Sequence, residues 1–285
     1  MNAVTRSIAY IVLAPILGGL LAGLDRIITA RMQGRYGPPV LQPFYDVLKL
    51  FEKENLMVNR FHGYYLVCYL AFLIASGALF FFGEDLLMVI FVFILADIFL
   101  VVAAYSTNSP YSFIGATREL LQMLAAEPML LISAVSLYMV TGSFEVAGIA
   151  GSGKILILYL PGVFLGLVYV LTIKLRKSPF DLSTSHHAHQ ELVKGLTTEF
   201  AGPSLALVEI AHWYETVLLL GIVYLFFSFN PAVGVAAALL TYFAEILIDN
   251  TNARFKWQLT LKSAWLATVA LGGVNLIVMY FIFVR

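Results

Sequence analysis

The chain has 285 residues, of which 61% are hydrophobic and 12% charged, with 17 Lys+Arg balanced by 17 Asp+Glu. A soluble domain carries about 25% charged residues, so this composition excludes an ordinary soluble fold and marks a polytopic membrane protein. The zero net charge argues against nucleic acid as a partner, and the single Cys68 excludes internal disulfides and any Cys-ligated cluster built by this chain alone.

A membrane helix needs about 20 mostly apolar residues. Eight stretches qualify: 8–29, 64–82, 86–105, 117–140, 155–175, 203–227, 232–249 and 259–284. The first follows MNAVTR without a small-residue cleavage site and reads as a retained helix, not a cleaved signal. If the N-terminus lies outside, the inside segments are 30–63, 106–118, 174–202 and 250–262. Every Lys and Arg except Arg6, Lys154 and Arg285 then falls on the inside, counting Arg26 at the end of the first helix. That is the asymmetry of the positive-inside rule. The expected architecture is therefore all-α: a single transmembrane domain over 1–285 with eight transmembrane helices, both termini outside, in the cell (cytoplasmic) membrane. Large cytoplasmic loops would carry short amphipathic helices.

The outside connections are short: Gly83-Glu84-Asp85, a Gly-rich piece over 141–154, and Asn230-Pro231. Gly151-Ser152-Gly153-Lys154 is like a phosphate loop only superficially, lacking the preceding strand and the glycine spacing. The first inside segment begins with Arg31 and Arg35 around a turn signalled by Gly34, Gly37, Pro38 and Pro39. Leu41, Phe44, Tyr45, Leu48 and Phe51 then recur at helical spacing between Asp46, Lys49, Lys53 and Glu54, which predicts an amphipathic helix at the interface or against a partner. The most polar stretch, 174–202, must lie outside the hydrocarbon or against other protein, because its backbone and charges cannot be satisfied in lipid. It reads as a docking and coupling surface.

Seven acids fall within or at the edge of the predicted helices: Asp97, Glu119, Glu127, Glu209, Glu215, Glu245 and Asp249. A carboxylate at the bilayer centre costs at least about 2.5–3.5 kcal/mol. Few basic residues are expected at those depths, so the protonated forms are favoured and the acids could pass protons or ions through the membrane. Glu209, His212 and Glu215 follow at i, i+3 and i+6, and Glu245 and Asp249 at i and i+4, so each set shares a helix face. His212 could relay protons or satisfy a buried acid. His186, His187 and His189 fit no closed zinc signature, and no metal site is expected there.

Three runs in order carry a family resemblance. The first is Ala30-Arg31, Gln33, Arg35, Gly37-Pro38, Leu41-Gln42-Pro43, Asp46, Lys49 and Lys53-Glu54. The second is Arg118, Gln122, Met123 and Glu127. The third is Pro179-Phe180-Asp181, Glu191-Leu192, Gly195 and Glu199-Phe200-Ala201-Gly202. Over nearly its whole length the chain resembles the membrane subunit shared by respiratory complex I (its subunit 1, the NuoH family) and the energy-converting NiFe hydrogenases (EchB, HycD). Ser185 to Gln190 stand where complex I has acids, and His212-Trp213 where it has a Glu-Tyr pair; both departures look like the hydrogenase branch. The resemblance implies a non-catalytic integral subunit of an oxidoreductase complex, with no cofactor bound by this chain alone. A NiFe centre and 4Fe–4S clusters would sit in partners on the cytoplasmic side, a hydrogenase large subunit and an iron–sulfur small subunit. Antiporter-like membrane subunits and the lipid bilayer would be its other partners. Arg31, Arg35, Asp46, Arg118, Asp181, Glu191 and Glu199 would then belong to coupling and docking loops, and the intramembrane acids to a proton or ion path. A complex I quinone module, a formate hydrogenlyase, a sulfur-reducing relative and a free-standing transporter are the competing readings.

Overall fold

The computed structural model describes residues 2–55, 59–180 and 195–283. The protein is an all-α bundle: among the described residues there is no strand, only an isolated bridge between Asp85 and Glu145. Its helices are α1 (Ala3–Met32), α2 (Gln42–Glu52), α3 (Arg60–Phe82), α4 (Leu86–Tyr105), α5 (Pro110–Thr141), α6 (Val146–Gly151), α7 (Leu156–Tyr159), α8 (Pro161–Lys174), α9 (Pro203–Leu225), α10 (Pro231–Thr251), α11 (Trp257–Ala267) and α12 (Val274–Phe283). A π-helical turn, Thr268–Gly273, joins the last two into one long rod.

Seven of the described helices, counting α11 to α12 as one, are long and apolar enough to cross a membrane. The fifth predicted span, 155–175, consists of two pieces, α7 and α8. Pro161 cannot donate to a helical carbonyl, so the chain bends at Leu160 between α7 and α8. The 14 residues of α8 extend only about 21 Å at 1.5 Å per residue, against a hydrocarbon core of about 30 Å.

α4 packs between α3 and α5, with Ala96, Ala103 and Ala104 buried. α9 packs against α3, α1 and α10. Small residues permit the closest approaches. A Cβ on Gly18 of α1 would stand 2.5 Å from the Trp213 carbonyl oxygen of α9. A Cβ on Gly115 of α5 would overlap the backbone nitrogen of Leu196 in the 3₁₀ turn Gly195–Thr197. The outward faces are apolar, with Leu13 and Leu17 of α1, Phe91 of α4, Leu240 of α10 and Leu266 of α11 all exposed, as a lipid-facing surface requires.

The amphipathic helix forms where its periodicity predicts, but is only half covered. Phe44 meets Trp213 at a ring separation of 5.0 Å and Val47 is buried beside Ala206, whereas Leu41, Tyr45, Leu48 and Phe51 remain exposed.

Candidate functional site

The predicted polar stretch does not leave the bundle at Lys174. Because α8 is short, the turn that follows it stays inside: Lys174, Lys177, Ser178 and Phe180 are buried. That turn presents three cations to acids from four helices. Lys174 Nζ donates to Asp97 Oδ2 of α4 at 2.6 Å, with both side chains under 10% exposed, and lies 4.6 Å from the Phe93 ring centroid. Arg176 donates to Glu119 Oε1 of α5 at 3.0 Å and also contacts the His212 Nε2 of α9. Lys177 donates to Asp25 of α1 and lies 3.5 Å from Asp249 Oδ2 of α10. Asp249 Oδ1 also accepts from the Ser178 backbone N–H at 2.9 Å.

The expectation that the intramembrane acids lack basic partners is therefore corrected for Asp97, Glu119 and Asp249. Their countercharges come from a turn that hydropathy places in a water-facing loop. A buried charge without a partner costs several kcal/mol, so folding the turn inward stabilises carboxylates and cations together. Lys174, Arg176 and Lys177, which the sequence reading held only as part of the polar stretch 174–202, and Asp25, which it did not single out, are further functional candidates. The signal for them was present in the Lys174-Leu175-Arg176-Lys177 run directly after a proline-interrupted span.

Around this turn the remaining acids fall into two groups. Arg176, Lys174, Asp97 and Glu119 all act electrostatically on buried Glu215 of α9. Lys174 and Asp97 act on Glu127 of α5, which adjoins Pro128. Buried polar atoms here without a hydrogen-bond partner include Asp97 Oδ1, Glu127 Oε1 and the Tyr69 hydroxyl oxygen. Buried polar groups of this kind are ordinarily satisfied by ordered water. The result is a cluster of ionisable groups around one turn, with Arg176 between Glu119 and His212, Lys174 paired with Asp97, and Glu215 and half-buried Glu127 within their electrostatic reach. Glu245 of α10 lies in the second group, with Asp249, Asp25 and Lys177.

Other predicted residues lie elsewhere. Arg31 sits over the Tyr36 ring at 4.9 Å and Arg35 donates to Gln33, both exposed at one end of the bundle. Asp46 accepts from Arg26 at 2.5 Å and from Gln42 at 2.8 Å. Partial burial pushes its carboxyl up, but the hydrogen bonds and the Arg26 charge outweigh this and hold it below its ordinary value. Glu209 and Glu199 are half-buried, and Arg118 is half-buried in the third turn of α5. Phe200, next to Glu199, packs on buried His62 at 4.7 Å. Gln122, from the second run of the resemblance, donates to the Phe180 carbonyl of the third. Asp181, Glu191 and the three clustered histidines lie outside the described residues. Among the described residues no group of three or more His, Cys, Asp and Glu side chains could hold a metal ion.

Comparison with known proteins places the chain among membrane oxidoreductase subunits. A model of the NADH dehydrogenase family matches residues 5–280. The chain is 28% identical over 289 residues to hydrogenase-4 component C of Escherichia coli (strain K12), covering 91% of each. It is 25% identical over 281 residues to formate hydrogenlyase subunit 4 of the same organism, covering 86% of this chain and 89% of that one. Among solved structures, a chain of the membrane-bound sulfane sulfur reductase, an archaeal respiratory membrane complex, superposes with a TM-score of 0.84 at 23% identity. The match covers 98% of this chain and 100% of that one, and shows a shared fold.

Proposed function

The chain belongs to the NADH dehydrogenase family, and from that membership we propose that it is the membrane anchor and coupling subunit of an energy-converting NiFe hydrogenase in the cell membrane. It docks a hydrogenase large subunit and an iron–sulfur small subunit, which carry the NiFe centre and the 4Fe–4S clusters, and it adjoins antiporter-like subunits. The hydrogenase branch is supported by the similarity to hydrogenase-4 component C and formate hydrogenlyase subunit 4 and by His212-Trp213 in α9.

The observation that carries the coupling role is the buried turn 174–178. Its backbone is continuous with Pro179-Phe180, which Gln122 ties to α5, while its side chains hold Asp97 and Glu119. A charge or displacement arriving at the docking face therefore reaches intramembrane carboxylates through one short covalent segment. In a site this dry, shifting a cation by a few ångströms changes the field at Asp97, Glu127 and Glu215 strongly, and each change in field alters how tightly those groups hold a proton. Coupling by this route needs no redox group in the chain itself.

The test has two parts. Mass spectrometry of the purified complex with nickel analysis should find hydrogenase-type large and small subunits; a complex that lacks nickel and reduces a quinone refutes the hydrogenase assignment. Asp97→Asn in the intact complex should keep hydrogen turnover and lose ion translocation; full translocation in that variant refutes the coupling route.

A further inference from the structure

The crevice between α5 and α11 holds none of the ionisable groups clustered around the buried turn. Arg118, Leu121 and Gln122 of α5 line one wall, and Trp257, Thr260 and Leu261 of α11 the other. Thr260 is 3% exposed, and its hydroxyl oxygen is buried without a hydrogen-bond partner. A buried hydroxyl ordinarily has one. The first turn of α11 has a similar deficit. The opening N–H groups of a helix lack an intrahelical acceptor, the N-cap Lys256 offers none from its side chain, and the first turn holds no acid. The charges around this helix end are cationic instead: Arg254 and Lys256 precede it, Lys262 follows, and Arg118 faces it from α5. Positive charge at a helix N-terminus adds to the positive end of the macrodipole, so the site lacks a countercharge of its own. A phosphate group supplies both the missing acceptors and the negative charge.

The enclosed space is about 10 Å³, room for one oxygen of water size and not for a whole phosphate. The phosphate therefore belongs at the mouth, with one oxygen entering toward Thr260 and the others toward Arg118 and the first-turn amides. Beyond the mouth the surface is apolar. Leu124 lies one turn past Leu121 on α5, and Trp265 one turn past Leu261 on α11, each on the same helix face, and both are exposed. The rod from Trp257 to Phe283 runs about 40 Å at 1.5 Å per residue, so it crosses a hydrocarbon core of about 30 Å with its ends at the headgroups. Exposed Trp257 then stands in the interfacial belt that tryptophan favours. We propose that this crevice binds the phosphate of an anionic phospholipid from the adjoining leaflet. Thr260 and the first turn of α11 donate to it, Arg118 is its cation, and an acyl chain lies along Leu124 and Trp265. Free phosphate would leave that apolar groove unused, which is why a lipid is the occupant. Phe255 donates its backbone N–H to the Pro179 carbonyl at 3.2 Å, and its ring lies 5.8 Å from that of Phe180, so the bound lipid braces the segment that continues the buried turn. The site goes beyond the coupling route proposed above and stands independently of it.

Hydrogen–deuterium exchange of the intact complex in lipid nanodiscs tests it. Nanodiscs of phosphatidylcholine alone are compared with nanodiscs that also contain phosphatidylglycerol. With phosphatidylglycerol present, the first-turn amides of α11 should exchange about tenfold more slowly, the effect of hydrogen bonds to a charged acceptor. Thr260→Val keeps the shape, removes the hydroxyl and should abolish most of that slowing, whereas Thr260→Ser should retain it. Neither variant strands a partner, because the hydroxyl has none in the protein, so both should fold. An anionic surface by itself slows exchange at every interfacial amide, but it does so equally in the two variants, and the difference between serine and valine isolates the site. Inorganic phosphate added to the phosphatidylcholine nanodiscs should change nothing. Equal exchange with and without phosphatidylglycerol, a Thr260→Val complex that responds as the wild type does, or slowing by inorganic phosphate alone overturns the proposal.

Discussion

Lys174→Met removes the cation from one end of a buried pair and leaves Asp97 behind. At 2.6 Å the attraction between the two charges is about 6 kcal/mol at an effective dielectric of about 20. Desolvation of each ion offsets several kcal/mol of that, so the intact pair adds little net stability. The single substitution is different, because Asp97 keeps its burial, at 2% side-chain exposure, and loses its countercharge; breaking such a pair costs about 3–5 kcal/mol. Replacing both partners should restore most of that loss, since Lys174→Met with Asp97→Leu fills the space with apolar groups and strands no charge. Reversible unfolding of the chain in mixed detergent micelles, titrated with a denaturing detergent, measures all three. The loss in the single variant should shrink as the pH falls, because a proton on Asp97 then neutralises the stranded charge. A single variant within about 1 kcal/mol of wild type, or a double variant no more stable than the single, would refute the assignment of Lys174 and Asp97 as mutual countercharges.

Three further outcomes follow from the same geometry. Arg176→Lys should keep hydrogen turnover in the complex but lower ion translocation severalfold, because a single ammonium cannot reach Glu119 and His212 together as the guanidinium fork does; translocation assayed in vesicles decides it. Gly115→Ala should displace the 3₁₀ turn Gly195–Thr197 from α5, since the added Cβ would overlap backbone atoms of Gly195 and Leu196. The overpacking should cost about 1–3 kcal/mol, read as reduced retention of the soluble subunits on purification. Asp46→Asn should cost less than about 1 kcal/mol, because its pair with Arg26 is exposed and screened. With the Asp46 carboxyl held below its ordinary value, the small stabilisation it gives is present above the ordinary carboxylate range and lost as the pH falls through the depressed value, which a pH series of wild type against variant would display.

Hydropathy located the long helices because a 20-residue apolar run has few alternatives in lipid, and the periodicity of Leu41, Phe44, Leu48 and Phe51 located α2 for the same kind of reason. The intramembrane acids Asp97, Glu119, Glu127, Glu215 and Glu245 were legible as single positions, since a charge in an apolar run stands out. Their partners were not legible. Lys174, Arg176 and Lys177 look in sequence like residues that fix orientation from the water side, and a window average cannot tell a loop that leaves a bundle from one that folds back into it. Deciding that required the length of α8 and the bend at Leu160–Pro161, which depend on how α7 packs against α5 and α8. Asp25 was overlooked for a related reason: next to Arg26 at the end of a span, it reads as an ordinary interfacial pair. In the structure Arg26 turns instead to Asp46, and Asp25 turns to Lys177.

The shortness of α8 is what makes a coupling role physically economical. A full-length span would deliver the basic run to water, where its charges would be screened within about 8–10 Å at physiological salt and could not act on groups in the bundle. Ending the helix early brings the ammonium of Lys174 to Asp97 near the middle of α4 and the guanidinium of Arg176 to α5 and α9. It leaves only Lys177 within reach of partly exposed carboxylates. The three cations thus lie along one turn, which Pro179-Phe180 continues. If the backbone break at Leu160–Pro161 is the cause, Pro161→Ala should allow α7 and α8 to merge, lift the turn toward water and weaken all three ion pairs together. The diagnostic result is simultaneous loss of the Asp97, Glu119 and Asp249 contacts, read by cysteine accessibility at positions 175 and 178. A variant in which those positions stay as inaccessible as in wild type would place the cause in the packing of α8 on α5 and not in the proline.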